Sequence, residues 1–595
     1  MSDSPTSWFQ LDLLRRLYGY ARPYRRRFHT SLALAILLAL LTPIRPWLIQ
    51  QTVNVYIAQS MVNLLIWVTV IQVGLLLLET AIRFGFSYLT AWLGQAVVRD
   101  LRVNVFNHIM HLNLRQFDRT PIGTLTTRTI NDLESINEVF ADGLIPILAD
   151  LLSIGCVLSY MCWTDWQLTL IALVPFPILI LATYFFKEST RKSFQKVRTA
   201  VSDLNAFVQE HLTGMSLVQA FVAEDREQQR FNVINKRHRQ ANIQAIFAYS
   251  VFFPVVEIVL ALSIGAVVWW TAHEALHLHQ SQQGVVISFI LCLNLLFRPL
   301  RMIADKFNVL QMGVIAAERV FVVIDNKDHL TDTIDPLPAH RPVQGDIRFE
   351  RVHFSYLPDQ PVLQEISFHV KPGQTLAIVG ATGSGKSTII NLLTRLYPIG
   401  SGQILLDGEP VERYDWQILR RQIGVVLQDV FLFTGTIREN LTLHNASITQ
   451  DQVEQAARLI GMHDFISQLP LGYDQPVMER GASLSMGQRQ LISFVRALLY
   501  NPSVLVLDEA TSSVDPESEQ MIQQAIDTLI HGRTSIVVAH RLSTIRKADR
   551  ILVLDRGKIQ ESGSHDELMQ ANGIYARMVR LPQADRLQVE GPATD

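Results

Sequence analysis

The sequence predicts a two-part chain, in which a six-helix, all-α transmembrane domain precedes an α/β domain with a parallel sheet. The first half holds three long stretches without Lys or Arg, at residues 46–82, 129–186 and 240–297. In the second half, short β-branched runs alternate with apolar stripes at helical spacing. A chain of 595 residues is long enough for both domains.

The composition agrees with a protein that lies partly in a membrane. Only 18% of the residues are charged, and 49% are hydrophobic. The net charge of −2 argues against a nucleic-acid partner, which would require a basic face. Cys156, Cys162 and Cys292 lie in apolar segments and have the spacing of neither a disulfide framework nor a metal site. The start of the chain has the pattern of neither a secretory signal nor an organellar transit peptide.

Each stretch without Lys or Arg contains two apolar segments that are long enough to cross a bilayer. The six predicted spans are 29–50, 63–84, 142–163, 166–186, 246–271 and 285–305. The short loops within each pair of spans carry no Lys or Arg, whereas the connections at 86–141 and 187–245 carry many. By the positive-inside rule, we expect these two connections and both termini in the cytoplasm.

The segments outside the spans have their own patterns. The two long connections are predicted to extend the spanning helices into the cytoplasm. Within residues 1–28, the Arg-rich amphipathic stretch Leu13–Arg27 favours an elbow helix on the inner leaflet over a solvated basic tail. Three prolines and little periodicity mark 326–345 as the linker between the two domains.

A glycine-rich loop is the clearest chemical signal. Thr375–Val379 is an apolar run typical of a buried parallel strand, and a helical stripe runs from Lys386 to Leu396. Glycines between them allow backbone N–H groups and the positive helix end to face phosphate oxygens. Lys386 can neutralise the β- and γ-phosphates, and the Ser387 hydroxyl can bind Mg²⁺. The predicted nucleotide-binding residues of this loop are Gly380, Ala381, Thr382, Gly383, Ser384, Gly385, Lys386, Ser387 and Thr388.

Two further strand ends carry side chains that would complete a hydrolytic site. Asp508 closes the apolar run Val504–Leu507 and can hold Mg²⁺, directly or through water. Glu509 follows it and can orient and deprotonate the attacking water. The apolar run Ser535–Ala539 delivers His540 to the same edge of the sheet. An Asp-Glu pair alone is more often a helix N-cap, but beside the phosphate-binding loop the catalytic interpretation is favoured.

Residues 346–582 resemble the nucleotide-binding domain of an ATP-binding-cassette (ABC) transporter, with every motif in the expected order. The resemblance implies that Tyr356 stacks on adenine, that Gln428 senses the membrane domain and that His540 contacts the γ-phosphate. It also implies that Asp515 lies in a loop at a dimer interface. The implied catalytic residues are Glu509, His540 and Gln428, and the implied Mg²⁺ ligands are Ser387, Gln428 and Asp508. ATP and Mg²⁺ are therefore the expected cofactors.

The resemblance also implies the architecture of a type IV ABC exporter. An elbow-helix region at 1–28 would be followed by a transmembrane domain at 29–325, with six helices and cytoplasmic extensions. The linker at 326–345 would lead to an α/β P-loop domain with a helical subdomain at 346–582, and then to a tail at 583–595. Two looser matches, Gly123–Arg128 and Ser216–Phe221, correspond to the elements that couple the ATPase to the membrane helices.

In this family two such chains enclose two ATP molecules, each between the phosphate loop of one chain and a Leu-Ser-Gly-Gly-Gln run of the other. The residues expected to face the partner's ATP are Ser485, Met486, Gly487 and Gln488. Met486 replaces the usual first glycine, which normally permits close backbone approach. Similar heterodimeric exporters combine such an altered run with an intact Glu and His in one chain. The sequence therefore favours a heterodimer over a homodimer in which the change is neutral.

The expected function is ATP-driven efflux of hydrophobic or amphipathic compounds, drug-like or lipid-like, across the plasma membrane, which in a bacterium is the inner membrane. The expected partners are the lipid bilayer, a second half-transporter and a small amphipathic substrate. The alternatives are a lipid flippase of the same fold and a nucleotide-gated channel or regulator without coupled turnover. Glu509 and His540 favour turnover over gating alone. No motif indicates the transported compound, because such pumps bind through diffuse apolar surfaces.

Two other patterns have simpler interpretations. His273–His277 has the spacing of a zinc protease, but it falls in a predicted loop between spans five and six, so an ordinary outer loop is favoured. Arg45, Glu79 and Glu257 are ionisable residues inside spans. They either line a polar substrate path or pair with one another between helices, and the sequence supports both interpretations equally.

Overall fold

The computed structural model describes residues 11–278, 283–328, 335, 337–338, 342–508, 516–539 and 541–580. The chain divides into two compact units. The first contains the chain up to His111 together with Thr120–Lys327, and the second contains Leu112–Arg119 and the chain from Asp328 onward. Each unit buries its own hydrophobic core.

All the main secondary-structure elements described up to residue 324 are helices. In chain order these are α1 (Leu11–Ala21), α2 (Arg25–Leu41), α3 (Ile44–Gln51), α4 (Val62–Met110), α5 (Leu114–Arg119), α6 (Ile122–Thr129), α7 (Asn131–Glu138), α8 (Leu144–Thr164), α9 (Trp166–Leu173), α10 (Phe176–Thr213), α11 (Met215–Ala220), α12 (Glu224–Leu278) and α13 (Gln283–Ile324). Of these, α5 groups with the second unit.

Among the described residues, six helical segments are long and apolar enough to cross a membrane. They are Asp12–Ile57, Val62–Met110, Ile122–Thr164, Trp166–Thr213, Glu224–Ala275 and Gln283–Ile324. Each contains one predicted span, so the predicted number and order of spanning helices are confirmed. Two of the segments include a π-helical stretch, at Thr52–Ile57 and Val139–Gly143, where the regular α-helical hydrogen bonding shifts by one residue.

The long connections at 86–141 and 187–245 are largely helical, as predicted. Helix α4 continues to Met110, and α10 and α12 extend to either side of the short helix α11. The segment that groups with the second unit is Leu112–Arg119, and it precedes the predicted coupling element Gly123–Arg128. The latter residues lie within α6 of the first unit. The other predicted coupling element, Ser216–Phe221, largely coincides with α11.

The second unit is an α/β fold. Its strands are β1 (Ile347–Leu357), β2 (Gln360–Val370), β3 (Thr375–Gly380), β4 (Ser401–Leu406), β5 (Glu409–Pro410), β6 (Ile423–Val426), β7 (Gly435–Thr436), β8 (Pro476–Val477), β9 (Val504–Asp508), β10 (Thr534–Val538), β11 (Arg550–Asp555) and β12 (Lys558–Gly563). In the described residues they form a four-stranded sheet β2-β1-β4-β5, a six-stranded sheet β12-β11-β3-β10-β9-β6 and the pair β7-β8. The strands from β11 to β6 run parallel to one another, and β12 is antiparallel to β11 at the edge of the sheet.

The helices of this unit cover the sheets and form a helical subdomain. They are α14 (Lys386–Leu393), α15 (Trp416–Gln422), α16 (Ile437–Thr442), α17 (Gln450–Ile460), α18 (His463–Gln468), α19 (Met486–Leu499), α20 (Pro516–Ile530), α21 (Leu542–Lys547), α22 (His565–Ala571) and α23 (Ile574–Arg580). Helices α16 to α19 lie between β6 and β9 in sequence, and they share one apolar core with the parallel sheet. The predicted fold class is therefore confirmed.

Helix α14 ends at Leu393, three residues earlier than its apolar stripe predicts. Arg395 adopts a left-handed conformation with a φ of 51°, and its guanidinium donates a 2.6 Å hydrogen bond to the carbonyl oxygen of Tyr414. This tertiary contact fixes the turn that stops the helix. Leu396 lies in the turn after the helix and packs on the same hydrophobic core as the buried residues of α14. The apolar stripe therefore continues beyond the end of the helix.

Candidate functional site

The carboxyl ends of several parallel strands place the predicted site residues along one sheet edge. Val538 of β10 pairs in register with Asp508 of β9 and with Ile378 of β3. Leu507 of β9 pairs with Val426 of β6. Because neighbouring strands run in the same direction, the segments that follow them emerge on the same side of the sheet. The structure thus brings the glycine-rich loop, Asp508 and the segment after β6 to this edge.

The loop between β3 and α14 depends on glycine in two ways. Gly383 and Gly385 have φ values of +83° and +104°, in the left-handed region that other residues rarely adopt. A Cβ atom on Gly385 would also lie 2.6 Å from Leu363 Cδ2 and 3.2 Å from the Val362 carbonyl oxygen of β2. Gly385 therefore allows both the turn and the close approach of β2.

Lys386 begins α14, and its ammonium group lies inside the loop. Its Nζ donates hydrogen bonds to the carbonyl oxygens of Gly380 and Ala381, at 2.8 and 2.9 Å. Burial lowers the pKa of the Lys386 ammonium, and the nearby Asp508 carboxylate acts in the opposite direction. The loop therefore holds a buried cation beside the backbone N–H groups at the start of α14.

The two predicted metal ligands nearest to the loop are in direct contact. The Ser387 hydroxyl donates a 3.2 Å hydrogen bond to the carboxylate of Asp508, which ends β9. Asp508 is only 9% exposed, and the neighbouring Thr388 is 5% exposed. Ser387 itself is exposed, so the pair offers a hydroxyl oxygen and a buried carboxylate, the oxygen ligands that Mg²⁺ prefers.

The loop has the donors that a polyphosphate requires. The hydroxyl of Ser384 is buried, and it has no hydrogen-bond partner among the residues that the structure describes. A buried hydroxyl that makes no hydrogen bond is costly, and a phosphate oxygen would satisfy it. Together with Lys386 and the N-terminus of α14, Ser384 fits a nucleotide phosphate chain.

Tyr356 lies on β1 beside the helix that follows the loop. Its hydroxyl accepts a hydrogen bond from Asn391 Nδ2 at 3.2 Å and lies 3.3 Å from Thr388 Oγ1, both on α14. Its ring meets the rings of Phe354 and Tyr397 edge to face, with centroids 4.8 and 5.0 Å away. The predicted adenine-stacking residue is therefore held firmly against the phosphate-loop helix.

Sequence reasoning missed the partners of Tyr356, because single polar and aromatic residues in a helix or turn carry no signal of their own. The sequence pattern includes Thr388 only as the last residue of the phosphate-loop motif, and it indicates no role for Asn391 or Tyr397. The Tyr397 hydroxyl donates a hydrogen bond to Asp118 of α5, within the second unit. Tyr397 therefore contacts both the ring of Tyr356 and, through its hydroxyl, the segment Leu112–Arg119.

The run expected to face the partner's ATP starts a 14-residue helix, α19. The Ser485 hydroxyl accepts a hydrogen bond from the Gln488 N–H at 3.2 Å, and the Gln488 side chain accepts one from the Ser485 N–H at 2.9 Å. This capping box leaves Met486 at the first helical position with 40% of its surface exposed. Gly487 is buried behind it.

Gln428 is exposed and lies two residues beyond the end of β6. It lines a small cavity of about 80 Å³ with neighbours from its own segment and from α19. The lining residues are Gln428, Asp429, Val430, Met486, Arg489 and Gln490. Gln428, predicted to bind Mg²⁺ and to sense the membrane domain, therefore shares one cavity with the unusual Met486 within a single chain, which sequence spacing could not show.

Three predicted site residues, Glu509, His540 and Asp515, lie outside the residues that the structure describes. Their places in the chain are bounded by described neighbours. Glu509 follows Asp508 directly, and His540 follows Ala539, one residue beyond the end of β10. Their roles remain predictions from the motifs.

The zinc-protease pattern is helical rather than a loop, because α12 continues to Leu278. This corrects the predicted start of the outer loop at 272. The ring of His273 stacks on that of Trp269, with centroids 5.9 Å apart. No group of three or more metal-binding side chains occurs among the described residues, and His279 lies outside them.

The ionisable residues inside the predicted spans differ in their ion pairs and in their exposure. Glu79 pairs with Arg83 one turn away on α4, at 3.0 Å, so it is not paired between helices. Arg45 and Glu257 are exposed on α3 and α12. A different pair joins two helices: the Lys306 ammonium of α13 lies 2.5 Å from the Asp150 carboxylate of α8.

Two family models match the chain in the order that the fold shows. The ABC transporter transmembrane region matches residues 29–300, and the ABC transporter model, which covers the ATP-binding domain, matches residues 363–512. The first match covers spans one to five and most of span six. The second covers the phosphate loop, the Gln428 segment, the α19 run and Asp508.

Curated relatives match over nearly the whole chain. An uncharacterised ABC transporter ATP-binding protein of Bacillus subtilis, YknV, is 37% identical over 98% of this chain and 96% of its own length. An ATP-dependent lipid A-core flippase of Syntrophus aciditrophicus is 33% identical over 96% of this chain and 95% of its own. A probable multidrug resistance ABC transporter of B. subtilis, YheH, is 35% identical over 86% of this chain and 76% of its own.

These matches agree with the architecture and with the nucleotide-binding geometry. The ATPase domain is fused behind a multi-pass membrane domain in one polypeptide, and its hydrolysis of ATP is coupled to transport. The chain therefore belongs to the ABC transporter family, as an exporter-type member that carries one transmembrane region and one ATP-binding domain.

Proposed function

We propose that this chain is one half of a dimeric pump that moves hydrophobic or amphipathic compounds out of the cytoplasm or the inner leaflet. The observation that carries the proposal is that one chain combines a phosphate-binding sheet edge with six apolar helices of spanning length. The name of a relative, a probable multidrug resistance transporter, supports this class of substrate. The membrane would be the plasma membrane, which in a bacterium is the inner membrane.

The proposed orientation places the ATP-binding domain and both termini in the cytoplasm. The connections at 86–141 and 187–245 carry most of the basic residues of the membrane half, as cytoplasmic segments do. ATP is also available on that side. The helical extensions of α4, α10 and α12 would then carry movement between the ATPase and the spans.

The proposed site chemistry uses residues from several strand ends. Mg²⁺, when held by Ser387, Asp508 and Gln428, would neutralise charge on the β- and γ-phosphates. Lys386 would stabilise the γ-phosphate as it leaves, and Tyr356 would position the adenine. Glu509 would orient the attacking water and accept its proton, while His540 would contact the γ-phosphate.

The dimer that we propose is a heterodimer. Met486 is exposed at the start of α19, where the family has a glycine that approaches the partner's ATP. Its side chain would stand between the helix N-terminus and the γ-phosphate. The ATP on the partner's phosphate loop would therefore be bound less tightly by this chain. The composite site that uses this chain's own Lys386 and Glu509 would be completed by the partner's run. In a heterodimer, the partner's run can keep the usual Leu-Ser-Gly-Gly-Gln sequence.

The test is to purify the chain with its partner from its native membrane and to reconstitute the complex in proteoliposomes. Fluorescent amphipathic compounds that stimulate ATP hydrolysis should also be moved in an ATP-dependent way. A Lys386→Ala variant serves as the control without hydrolysis. Stimulated hydrolysis without movement of any such compound would contradict the export proposal, and recovery of the chain only as a homodimer would contradict the heterodimer.

Lipid movement is a second candidate, because several relatives are named lipid A-core flippases. The same proteoliposomes distinguish the two functions. A flippase would move a fluorescent phospholipid between leaflets in an ATP-dependent way, and soluble amphipathic compounds would not compete with it. An exporter of diverse compounds would show competition between them.

A further inference from the structure

Six arginines lie between residues 15 and 27, and two of them are used inside the protein. Arg16 donates hydrogen bonds of 2.7 and 2.8 Å to both carboxylate oxygens of Asp325, and its guanidinium lies 4.0 Å from the centre of the Phe321 ring. Arg27 lies 3.5 Å over the ring of Trp92. These contacts hold α1 and the start of α2 against α13 and α4.

The other four arginines are Arg15, Arg22, Arg25 and Arg26. All four are exposed, and among the described residues none makes a side-chain hydrogen bond or an ion pair. Two carboxylates nearby are already engaged, since Asp325 binds Arg16 and Asp100 accepts from Tyr24 and Arg99. A third, Asp12, is exposed in the first turn of α1, three residues before Arg15. The four guanidinium groups outnumber this one carboxylate and therefore form a surface of net positive charge; we call it the arginine surface.

The apolar face of α1 cannot also serve as a membrane anchor, because the protein itself covers it. Leu17 and Ala21 are each 1% exposed, and Leu14 packs on a small core with Val139 and Leu310. An interfacial amphipathic helix normally buries such a face in the lipid. With this face occupied, attraction between charges is the main force available to hold α1 at the bilayer.

The arginine surface lies where the chain enters the first span. Helix α2 begins at Arg25, and its apolar run starts at Phe28, so Arg25 and Arg26 immediately precede the apolar residues of the first predicted span. Tyr18, 42% exposed on α1, adds an aromatic side chain of the kind found at membrane interfaces. Basic clusters immediately cytoplasmic of a spanning helix attract anionic lipids.

We propose that Arg15, Arg22, Arg25 and Arg26 form a docking surface for the phosphate headgroups of anionic phospholipids in the cytoplasmic leaflet. Planar guanidinium groups pair well with phosphate oxygens, in one or two hydrogen bonds each. The Arg16–Asp325 pair connects this surface with the end of α13, next to the linker. The proposal rests on the cytoplasmic orientation of the N-terminus proposed above.

The test compares lipid retention by the full-length complex in nanodiscs that contain phosphatidylglycerol and phosphatidylcholine, followed by native mass spectrometry without nucleotide. Replacing all four arginines with Gln should reduce the preference for phosphatidylglycerol by at least about tenfold, since each basic residue near the surface favours an anionic membrane several-fold. The preference of the unaltered protein should also weaken as salt rises.

Two further variants complete the test. A matched control changes four exposed basic residues of the cytoplasmic helices and ATPase domain, Arg198, Lys236, Arg237 and Arg421, to Gln, and its lipid preference should stay within about twofold of the unaltered protein. A variant with Lys at the four arginine positions keeps the charge and should retain most of the preference.

The proposal would be overturned if the control variant lost as much preference for phosphatidylglycerol as the Gln variant does. It would also be overturned if the Gln variant kept the full preference. An equal loss in the Lys variant would show a structural effect of the substitutions, and it would also overturn the proposal. Because the readout is bound lipid in the absence of ATP, failure of this proposal is distinguishable from failure of ATP-driven export.

Discussion

Tyr356 shows how one residue joins two parts of the nucleotide site. Its hydroxyl is bound to Asn391 on α14, so the ring is oriented by the same helix that begins at the phosphate loop. Its edge contacts with Phe354 and Tyr397 restrict the ring further. The ring and the hydroxyl therefore have separable effects on nucleotide binding.

We predict that Tyr356→Ala weakens ATP binding about 5- to 150-fold, because stacking of an aromatic ring on a base contributes about 1–3 kcal/mol. Tyr356→Phe removes the hydroxyl and keeps the ring, so it should change the affinity less than about threefold. Equilibrium binding of a fluorescent ATP analogue would measure both. Equal affinities for Tyr356→Ala and the unaltered protein would rule out the stacking role.

Glu509 carries the most specific chemical prediction, because a general base contributes to the hydrolysis rate more than to binding. Glu509→Gln should lower steady-state phosphate release about 10²- to 10⁴-fold and leave nucleotide bound. Phosphate release and retained radiolabelled nucleotide, measured on the same preparation, would show the two effects together. Steady-state turnover that stays undiminished would assign the base to another residue.

At the scale of elements, a polar network joins three of the segments that are long and apolar enough to span a membrane. The Tyr160 hydroxyl of α8 donates a 2.5 Å hydrogen bond to Gln50 of α3 and lies 2.9 Å from Ser288 of α13. One turn away, the Gly284 N–H donates to the Asn54 side chain, at 2.8 Å, in the π-helical stretch after α3. Hydrogen bonds between helices are among the contacts that hold membrane helices together.

Close backbone approach strengthens the same junction. A Cβ atom on Gly284 would lie 2.5 Å from Asn54 Oδ1 and 2.6 Å from the carbonyl oxygen of Gln50. No larger residue fits there without moving α13 away from α3. The junction of α3, α8 and α13 therefore combines side-chain hydrogen bonds with a contact that only glycine allows.

We predict that Tyr160→Phe lowers the free energy of unfolding of the membrane domain by about 0.6–1.7 kcal/mol, the range for single hydrogen bonds between helices in a bilayer. Ser159→Ala is the matched control, because the Ser159 hydroxyl binds only the Gly155 carbonyl of its own helix. Thermal unfolding of both variants in nanodiscs would measure the difference. Equal destabilisation by the two substitutions would show that the network adds nothing specific.

At the scale of the whole molecule, the pairing of two chains decides how Met486 acts. Within this chain, Met486 lines the cavity that also contains Gln428. In a dimer it would also face the partner's ATP. One substitution can therefore affect two sites, one in each chain.

Met486→Gly should strengthen nucleotide trapping at the site that contains the partner's phosphate loop, since it restores close approach of the helix N-terminus to the γ-phosphate. Retention of radiolabelled ATP, counted per dimer after removal of free nucleotide, should rise from about one nucleotide toward two. Lys386→Ala in this chain distinguishes the two sites, because it removes trapping at its own loop. Unchanged trapping in Met486→Gly would remove the reason to expect unequal sites.

The sequence alone determined the fold class, the number and order of the spans, and the residues of the phosphate loop. These features depend on local patterns. About twenty apolar residues in a membrane form a helix, and a glycine-rich loop with Lys and Ser between a strand and a helix is typical of a phosphate loop. Met486 was also visible in the sequence, since it breaks a short and specific run.

The tertiary structure alone decided which distant residues meet. It placed Asn391 on the Tyr356 hydroxyl, Gln428 in the cavity of Met486, and Tyr160 between Gln50 and Ser288. It also ended α14 at Leu393 and turned the apolar face of α1 toward the protein. Such contacts join residues far apart in the chain, and their geometry depends on how whole elements pack, so no local pattern of residues contains them.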